Sequence, residues 1–293
     1  MIIIKLIGGL GNQLFQYAAG RRLASVHNTK LKLDVSGFET YTLHAYTLNH
    51  FRITAPEATD AEITALKGRE RKGFAGKIAR RLAQFGLWPK KPRYVKEPES
   101  GFNFGVLGLP DNIYLEGYWQ SEKYFKDREE LIRREYVLRA PLSPVSRKAS
   151  KTILGSNSIS IHVRRADYVT DEKSRRTYGI LGMEYYDKAI KELAKRIAAP
   201  HFFIFSDDIP WIREHFKLGF PASYMDFNGP EKNYEDLHLM SLCKHHIIAN
   251  SSFSWWGAWL GTNRGKIVFA PEHWFQNRSS DARDRYPKDW ITI

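Results

Sequence analysis

The chain has 293 residues, 43% of them apolar and 26% charged, which is typical of a water-soluble globular protein of about two domains. Fibrous and disordered classes are excluded by this composition, and no apolar run approaches the ~20 residues of a transmembrane helix. The single cysteine cannot form an internal disulfide and no secretory signal opens the sequence, so we expect a cytoplasmic protein.

The formal net charge of +13 is concentrated in one segment. Between Lys67 and Lys96 there are eleven basic residues and one acidic residue, Glu70. Apolar residues recur in this segment at helical spacing, at Phe74, Ile78, Leu82 and Phe85. The pattern predicts a basic amphipathic helix, which could pack on the protein surface or lie against an anionic membrane at its inner face. The rest of the chain is close to neutral, so a nucleic-acid-binding protein is only a remote alternative.

Short apolar strands alternate with helical patterns along nearly the whole chain. The predicted strands are 2–7, 31–35, 113–115, 159–163, 202–205, 223–227, 246–249 and 267–269. The predicted helices are 12–26, 122–138, 183–198, 211–216, 234–243 and 254–260. This alternation is typical of an α/β fold with parallel sheets. Two prolines within 140–144 predict a hinge, and with it an N-terminal domain 1–143, carrying the basic insert 67–96, and a C-terminal domain 144–293.

The first predicted strand ends in a glycine-rich turn, Gly8-Gly9-Leu10-Gly11-Asn12-Gln13, that leads into a helix. Backbone without side chains lets a ligand approach a helix N-terminus closely. The spacing matches neither the dinucleotide fingerprint nor the P-loop. The alternative is a tight turn that needs glycine for a positive φ. The pair Asn12-Gln13 after the glycines favours a ligand site over that alternative.

The strand 159–163 ends in a cluster of charged and polar side chains: His162, Arg164, Arg165 and Asp167. Ligands of open α/β sheets bind at this end of the strands, and the planar donor fork of arginine suits a phosphate. One arginine could reach a ligand while the other pairs with Asp167. A surface ion-pair cluster is the alternative interpretation.

The strand 202–205 is followed by Asp207 and Asp208. A carboxylate at this position can accept hydrogen bonds from the N1 and N2 donors of guanine. Because Pro210 fits the first turn of a helix, Asp208 is expected to cap that helix, which leaves Asp207 as the ligand residue.

The strand 246–249 runs into a helix through the hydroxyl residues Ser251, Ser252 and Ser254. Amides and hydroxyls at a helix N-terminus can bind phosphate without a metal, although simple helix capping is equally consistent with them. The sequence contains no Asp-x-Asp triplet and no zinc-ligand spacing, so we predict neither a metal nor a cofactor.

Six segments together resemble the bacterial α-1,2-fucosyltransferases of glycosyltransferase family 11. They are GGLGNQLFQYA from Gly8, EGYWQSEKYF from Glu116, HVRRADY from His162, FSDD from Phe205, DLHLMSLCKH from Asp236 and ANSSFSWWGAWL from Ala249. Ala166 departs from the family pattern, which commonly has glycine there. The resemblance implies a GT-B architecture, in which two Rossmann-like domains face a central cleft. It also implies metal-independent, inverting transfer of L-fucose from GDP-β-L-fucose to the 2-hydroxyl of a terminal galactoside.

The resemblance further implies roles for individual residues. His162 and Asp207 would hold guanine, and Arg164, with Arg165 beside it, would contact the β-phosphate. The pyrophosphate site would be completed by Ser251, Ser252 and Phe253, and the fucose end would be covered by Gly9, Gly11, Asn12 and Gln13. The predicted catalytic residues are Arg164, Asn12 and Asp167, the last either as general base or as a residue that orients the arginines. Aromatic rings that could stack on the acceptor, or belong to the core, are Tyr118, Trp119, Trp255 and Trp256.

The expected biological role is synthesis of O-antigen or another surface glycan, with an acceptor that could be lipid-linked. A transferase that uses another nucleotide sugar is the nearest alternative, because an arginine and a carboxylate at strand ends could also suit other bases and sugars.

Overall fold

A computed structural model of the chain describes residues 1–40, 43–68, 93–98, 101–165, 169, 171–276 and 284–293. Its strands are β1 (Ile2–Lys5), β2 (Leu31–Asp34), β3 (Tyr94–Lys96), β4 (Ile113–Glu116), β5 (Asn157–Val163), β6 (Pro200–Ser206), β7 (Ala222–Tyr224), β8 (His245–Ile247), β9 (Val268–Ala270) and β10 (Ile291–Thr292). Its α-helices are α1 (Leu10–Val26), α2 (Asp60–Lys67), α3 (Glu129–Glu135), α4 (Pro144–Leu154), α5 (Glu172–Tyr178), α6 (Met183–Arg196), α7 (Ile209–His215), α8 (Asn233–Leu242) and α9 (Ser252–Leu260). Short 3-10 helices cover Ser36–Glu39, Leu48–His50, Phe104–Gly108, Glu122–Tyr124, Lys126–Arg128 and Pro230–Lys232.

The strands form two parallel sheets. The first has the order β2-β1-β4-β3, and Ile3 at its centre pairs with Lys32 and Tyr114. The second has the order β10-β9-β8-β5-β6-β7, and Ile161 pairs with Ile204 and Ile247. Central strands such as β1 and β6 are apolar and buried on both faces, as expected for parallel sheets covered by helices. The predicted α/β fold with parallel sheets is confirmed.

All eight predicted strands are present, with ends that differ by a few residues. The sequence analysis missed β3 and β10, which are short and lack an apolar run. It also missed the helices α2, α4 and α5. The predicted basic helix falls mainly on residues 69–92, which lie outside the described residues, whereas the end of its segment forms β3.

Two other sequence predictions are corrected by the structure. The predicted helix 122–138 is two 3-10 turns followed by α3, because Phe125 between the turns has a non-helical backbone with φ −144°. Pro144, predicted to belong to a hinge, is the first residue of α4, since the Ser143 hydroxyl caps that helix and proline fits its first turn. The first sheet uses residues 2–116 and the second 157–292, while the domain boundary at 143 stays a prediction.

The helices α1 and α9 join the two halves of the chain through one hydrophobic core. α9 is buried nearly all round, as expected for a helix that is apolar on most faces, and most residues of α1 are buried as well. The Phe15 ring of α1 lies 4.4 Å from Trp255 and 4.9 Å from Trp256 of α9, centroid to centroid. This packing places the N-termini of α1 and α9 side by side.

Among the described residues, no helix is long and apolar enough to cross a membrane.

Candidate active site

The glycine-rich turn after β1 is closed by the side chain of Gln13. Gly8 has φ +76°, a conformation that favours glycine, and Gly9 precedes the first turn of α1. The Gln13 amide donates to the carbonyls of Gly8 (2.9 Å) and Ala45 (2.8 Å), and its oxygen accepts from Thr47 N (3.0 Å). Because Gln13 is fully buried and its amide is used in this way, the prediction that it contacts the donor is wrong.

Gly11 is buried against the first turn of α9. A Cβ on Gly11 would lie 2.4 Å from the carbonyl carbon of Ser252 and 2.5 Å from the amide nitrogen of Phe253. The contact therefore requires glycine, and it leaves no room for a ligand between the two backbones. The prediction that Gly11 covers the fucose end of the donor is corrected: Gly11 holds the two helix N-termini together. Gly9 is half-buried beside the His44 ring. Its contact with the fucose end of the donor stays a prediction.

Asn12 connects the two halves of the site. Its side-chain oxygen accepts hydrogen bonds from the Ser252 hydroxyl (2.8 Å) and from the Gln120 amide (2.6 Å). Asn12 and Ser252 are both half-buried, in keeping with a position at the edge of a site. Two residues that were predicted separately from opposite ends of the chain are thus brought into direct contact.

Arg164 and Arg165 follow β5, and each pairs with an aspartate that follows the neighbouring strand β6. Arg164 Nη1 lies 2.7 Å from Asp207 Oδ2, and the backbone amide of Arg165 donates to Asp207 Oδ1 (2.8 Å). Asp207 therefore accepts from both arginines. A further contact of Asp207 with guanine stays a prediction, which would use the second acceptor position of each oxygen.

The Arg165 side chain points to a different set of partners. Its Nε donates to Asp208 Oδ2 (3.2 Å), and its guanidinium lies 3.5 Å from the centre of the Trp211 ring. Asp208 Oδ1 accepts from the amide of Trp211 (3.2 Å), so Asp208 caps α7 as predicted. Arg165 is thus held by a carboxylate and an aromatic face, whereas the Arg164 side chain pairs with Asp207. The predicted donor contact of Arg165 stays a prediction.

His162 lies at the end of β5 with its ring buried. It is 4% exposed, its ring centroid is 5.6 Å from that of Phe253, and within the described ranges its Nδ1 has no hydrogen-bond partner. Burial, together with the charge of Arg164, lowers the pKa of His162 to about 3, so the imidazole is neutral at physiological pH. Arg164 follows β5 two residues after His162, close enough for its charge to act on the buried ring.

The N-terminus of α9 carries the predicted serine cluster. The Ser251 hydroxyl accepts from the amide of Phe253 (3.3 Å) and caps the helix, as the alternative interpretation held. Ser254 is buried, and its hydroxyl donates to the carbonyls of Ala249 (3.5 Å) and Ser251 (3.3 Å). Only Ser252 and Phe253 of this cluster are partly exposed. Their contacts with a pyrophosphate stay predictions.

Three of the four predicted acceptor-stacking rings belong to the core. Trp119, Trp255 and Trp256 are fully buried, so they offer no face to a ligand and that prediction is wrong for them. The indole nitrogens of the last two donate to the carbonyls of Arg285 (2.7 Å) and Gly11 (3.0 Å). Tyr118, by contrast, is 44% exposed and lines a cavity. Asp167, the predicted base, lies outside the described residues.

Glu97 and Arg285 also line this cavity, and the sequence analysis singled out neither of them. Glu97 follows β3, so recognition of that strand would have placed a carboxylate at a ligand-binding edge. Arg285 lies in a connection near the C-terminus, where no sequence pattern distinguished it.

Comparisons with known proteins show what the chain as a whole is similar to. The family model "Glycosyl transferase family 11" matches residues 70–293. The chain is 34% identical to an α-1,2-colitosyltransferase of Escherichia coli, with 100% of this chain and 99% of that protein aligned. It is 32% identical to the O-antigen biosynthesis glycosyltransferase WbnK of Escherichia coli, with 98% and 99% aligned. Human galactoside α-(1,2)-fucosyltransferase 1 is 25% identical over 86% of this chain and 63% of its own length.

A solved structure shows the same fold. The NodZ α-1,6-fucosyltransferase, soaked with GDP-fucose, superposes with a TM-score of 0.50 at 15% identity, covering 88% of this chain and 91% of that one. The predicted GT-B architecture is confirmed by this likeness together with the two parallel sheets. The chain belongs to glycosyltransferase family 11.

Proposed function

We propose that the protein transfers L-fucose from GDP-β-L-fucose to the 2-hydroxyl of a terminal galactoside, by an inverting displacement that needs no metal. The observation that carries the proposal is the Arg164 guanidinium, held 2.7 Å from Asp207 at the carboxyl end of β5. A fixed cation at this edge of a parallel sheet is suited to a nucleotide diphosphate.

In the proposed reaction the acceptor oxygen attacks the anomeric carbon of fucose while the bond from that carbon to the β-phosphate oxygen breaks. Negative charge develops on the β-phosphate as GDP leaves. Arg164 stabilises that charge, and the positive end of the α9 dipole lies nearby, at Ser252 and Phe253. Asp207 is a positioning residue here, because it fixes the guanidinium that meets the phosphate.

The neutral state of His162 suits recognition of a base. A neutral imidazole can donate from one nitrogen and accept at the other, and the Nδ1 of His162 is buried without a partner among the residues described. A guanine edge that reached this nitrogen would satisfy it. For the proton of the acceptor hydroxyl, Asp167 is still the proposed base, with orientation of the arginines as its alternative role.

Colitose is the second sugar to consider, because one relative is named a colitosyltransferase. Colitose is fucose without the 3-hydroxyl, so the two donors differ in one hydrogen-bonding group. A site that hydrogen-bonds the 3-hydroxyl rejects the sugar that lacks it by a factor of up to ~10⁴–10⁵, whereas a site without that contact accepts both. A strong preference for GDP-fucose would therefore indicate a contact with the 3-hydroxyl, and similar rates with both donors would indicate a site without that contact.

The proposed setting is O-antigen or other surface-glycan synthesis, supported by the similarity to WbnK. The acceptor would then be a glycan, which could be lipid-linked, presented at the cytoplasmic face of the membrane. The basic segment 67–96 would supply an electrostatic contact with anionic lipid.

The deciding experiment is incubation of the purified chain with GDP-fucose, GDP-colitose or UDP-galactose and a panel of β-galactosides. We expect a fucosylated product whose 1→2 linkage and α configuration are read by NMR. Transfer from GDP-colitose alone would replace fucose by colitose in the proposal, and transfer from UDP-galactose alone would refute a GDP-sugar donor.

A further inference from the structure

A cavity of about 290 Å³ opens at the carboxyl edge of the first sheet, beside the predicted donor site. Its wall includes Ile7 after β1, Glu97 after β3 and Tyr118 after β4, together with Gln120 and Arg285. This volume is at the small end of ligand pockets, which span ~300–1,000 Å³. It suits a single sugar unit better than a nucleotide sugar.

A chain of hydrogen bonds connects this cavity with the N-terminus of α9. The Ser252 hydroxyl donates to Asn12, the Gln120 amide donates to the same oxygen of Asn12, and Arg285 Nη1 donates to the Gln120 oxygen. Three side-chain contacts thus lead from the predicted pyrophosphate site to the cavity wall. A group in the cavity is therefore a close neighbour of a donor bound at α9.

The Glu97 carboxylate is held in place by backbone donors. It accepts from the amides of Tyr118 (2.5 Å) and Trp119 (2.9 Å), and Gly117 makes room for it, since a Cβ there would lie 2.3 Å from Glu97 Cβ. Trp119 has φ +55°, which is strained for a bulky residue. The turn that presents these amides to Glu97 is thus held in a strained conformation, a feature that clusters at ligand sites.

The charges on the cavity wall favour a neutral ligand with many hydroxyl groups. Three acidic side chains (Glu97, Glu116, Asp284) and two basic ones (Lys96, Arg285) line it, so a charged ligand would meet like charges on one side. A hydroxyl donates to a carboxylate and accepts from a guanidinium, and therefore matches both. Burial raises the pKa of Glu97 against the opposing effect of its amide donors and Arg285, which indicates a carboxylate with few solvent contacts.

We propose that this cavity binds the terminal sugar of the glycan acceptor, with Glu97 and Arg285 hydrogen-bonding its hydroxyl groups and the exposed Tyr118 ring covering one face. The inference rests on the proposed function, because it assigns the acceptor side of the same reaction. Of the four rings predicted to stack on the acceptor, only Tyr118 lines the cavity, whereas Trp119, Trp255 and Trp256 are buried in the core.

The test separates acceptor binding from donor binding. In Glu97→Gln we expect the KM for lactose to rise about tenfold or more, as for loss of a charged hydrogen-bond partner, while the KM for GDP-fucose stays within about twofold. Glu192→Gln removes a partly exposed carboxylate of α6 that pairs with Lys195, and serves as the matched control with both constants unchanged. A rise in the donor KM instead would assign the cavity to the donor and overturn the inference.

A second variant covers the case in which Glu97→Gln disturbs the turn. Tyr118→Ala keeps the backbone amide that donates to Glu97 and removes only an exposed ring, so its fold should be retained. We expect weaker saturation transfer to lactose in NMR with GDP present, a readout that needs no turnover. The inference is overturned if both variants bind lactose as well as the wild type does. It is also overturned if the wild type does not bind lactose. Lactose binding without transfer from GDP-fucose or GDP-colitose would instead refute the proposed function.

Discussion

Gly11 and Ser252 are in backbone contact, although one lies in the first turn of α1 and the other begins α9 near the end of the chain. A Cβ on Gly11 would lie 2.4 Å from the Ser252 carbonyl carbon, closer than such atoms approach in real proteins. The adjacent residue Asn12 accepts from the Ser252 hydroxyl at 2.8 Å. The contact therefore sets the spacing between the glycine-rich turn of one half and the predicted pyrophosphate site of the other.

Gly11→Ala should destabilise the protein, because the neighbouring atoms are backbone and cannot rotate away. Overpacking of this kind typically lowers the free energy of unfolding by about 1 to 3 kcal/mol. Urea denaturation of both proteins measures the difference. Gly219→Ala is the control, since that glycine is exposed and an added Cβ would meet nothing within 4 Å. Equal destabilisation in the two variants would contradict the close contact.

The part of the site that could be predicted from the sequence lies at the carboxyl ends of strands. The apolar runs of β5 and β6 are recognisable in the sequence, and adjacent parallel strands bring their carboxyl ends together, which is how Arg164 meets Asp207. The cap at Asp208 was also predictable, because within a helix Pro210 fits only the first turn.

The unpredictable part depends on packing between distant segments. Nothing local shows that Trp255 and Trp256 are buried, because their burial comes from the Phe15 face of α1. Gln13 follows a glycine-rich turn and so suggested a ligand, whereas its amide is used by Ala45 and Thr47 from a later loop. Glu97 was missed because β3 has only three residues and lies at the end of a strongly basic segment whose apolar spacing predicts a helix.

Acidification below pH 6.5 should destabilise the folded state partly through His162. Folding lowers the pKa of this group from 6.5 to about 3, so between these values the unfolded state binds more protons and stability falls as the pH falls. The free energy of unfolding of His162→Gln should therefore depend less steeply on pH between 7.5 and 5 than that of the wild type.

The matched control for the pH experiment is Tyr186→Phe. It removes the hydroxyl that donates to the His162 carbonyl (3.3 Å) and leaves every histidine in place. We expect this variant to be less stable at all pH values with the slope of the wild type. Equal slopes in His162→Gln and the wild type would show that the buried ring does not titrate as its environment implies.

Transfer activity should be insensitive to EDTA. The sequence has no Asp-x-Asp triplet to hold a divalent ion on a diphosphate, and the proposed mechanism gives the leaving-group charge to Arg164 and the α9 N-terminus. Initial rates are compared with and without EDTA after removal of bound metals. Activity lost on chelation and restored by Mg²⁺ or Mn²⁺ would contradict a metal-independent displacement.

Arg164→Ala should fold normally and lose turnover by roughly 10² to 10³, the usual effect of removing one group that stabilises transition-state charge. Arg164→Lys keeps the charge without the planar fork, so we expect it to recover only part of the rate. Asp207→Asn should lower kcat less than Arg164→Ala does, because the guanidinium remains but is less firmly oriented. Single-turnover kinetics with saturating GDP-fucose measure these effects on the chemical step.

Arg213→Ala provides the control, since it removes an exposed arginine that pairs with Asp226 and has no predicted contact with the donor. Exposed pairs of this kind contribute up to about 1 kcal/mol, so stability should change little and turnover not at all. Melting temperatures separate unfolding from a catalytic defect in each variant. Near-normal turnover in Arg164→Ala would remove the cation from the mechanism and with it the proposed role of Asp207.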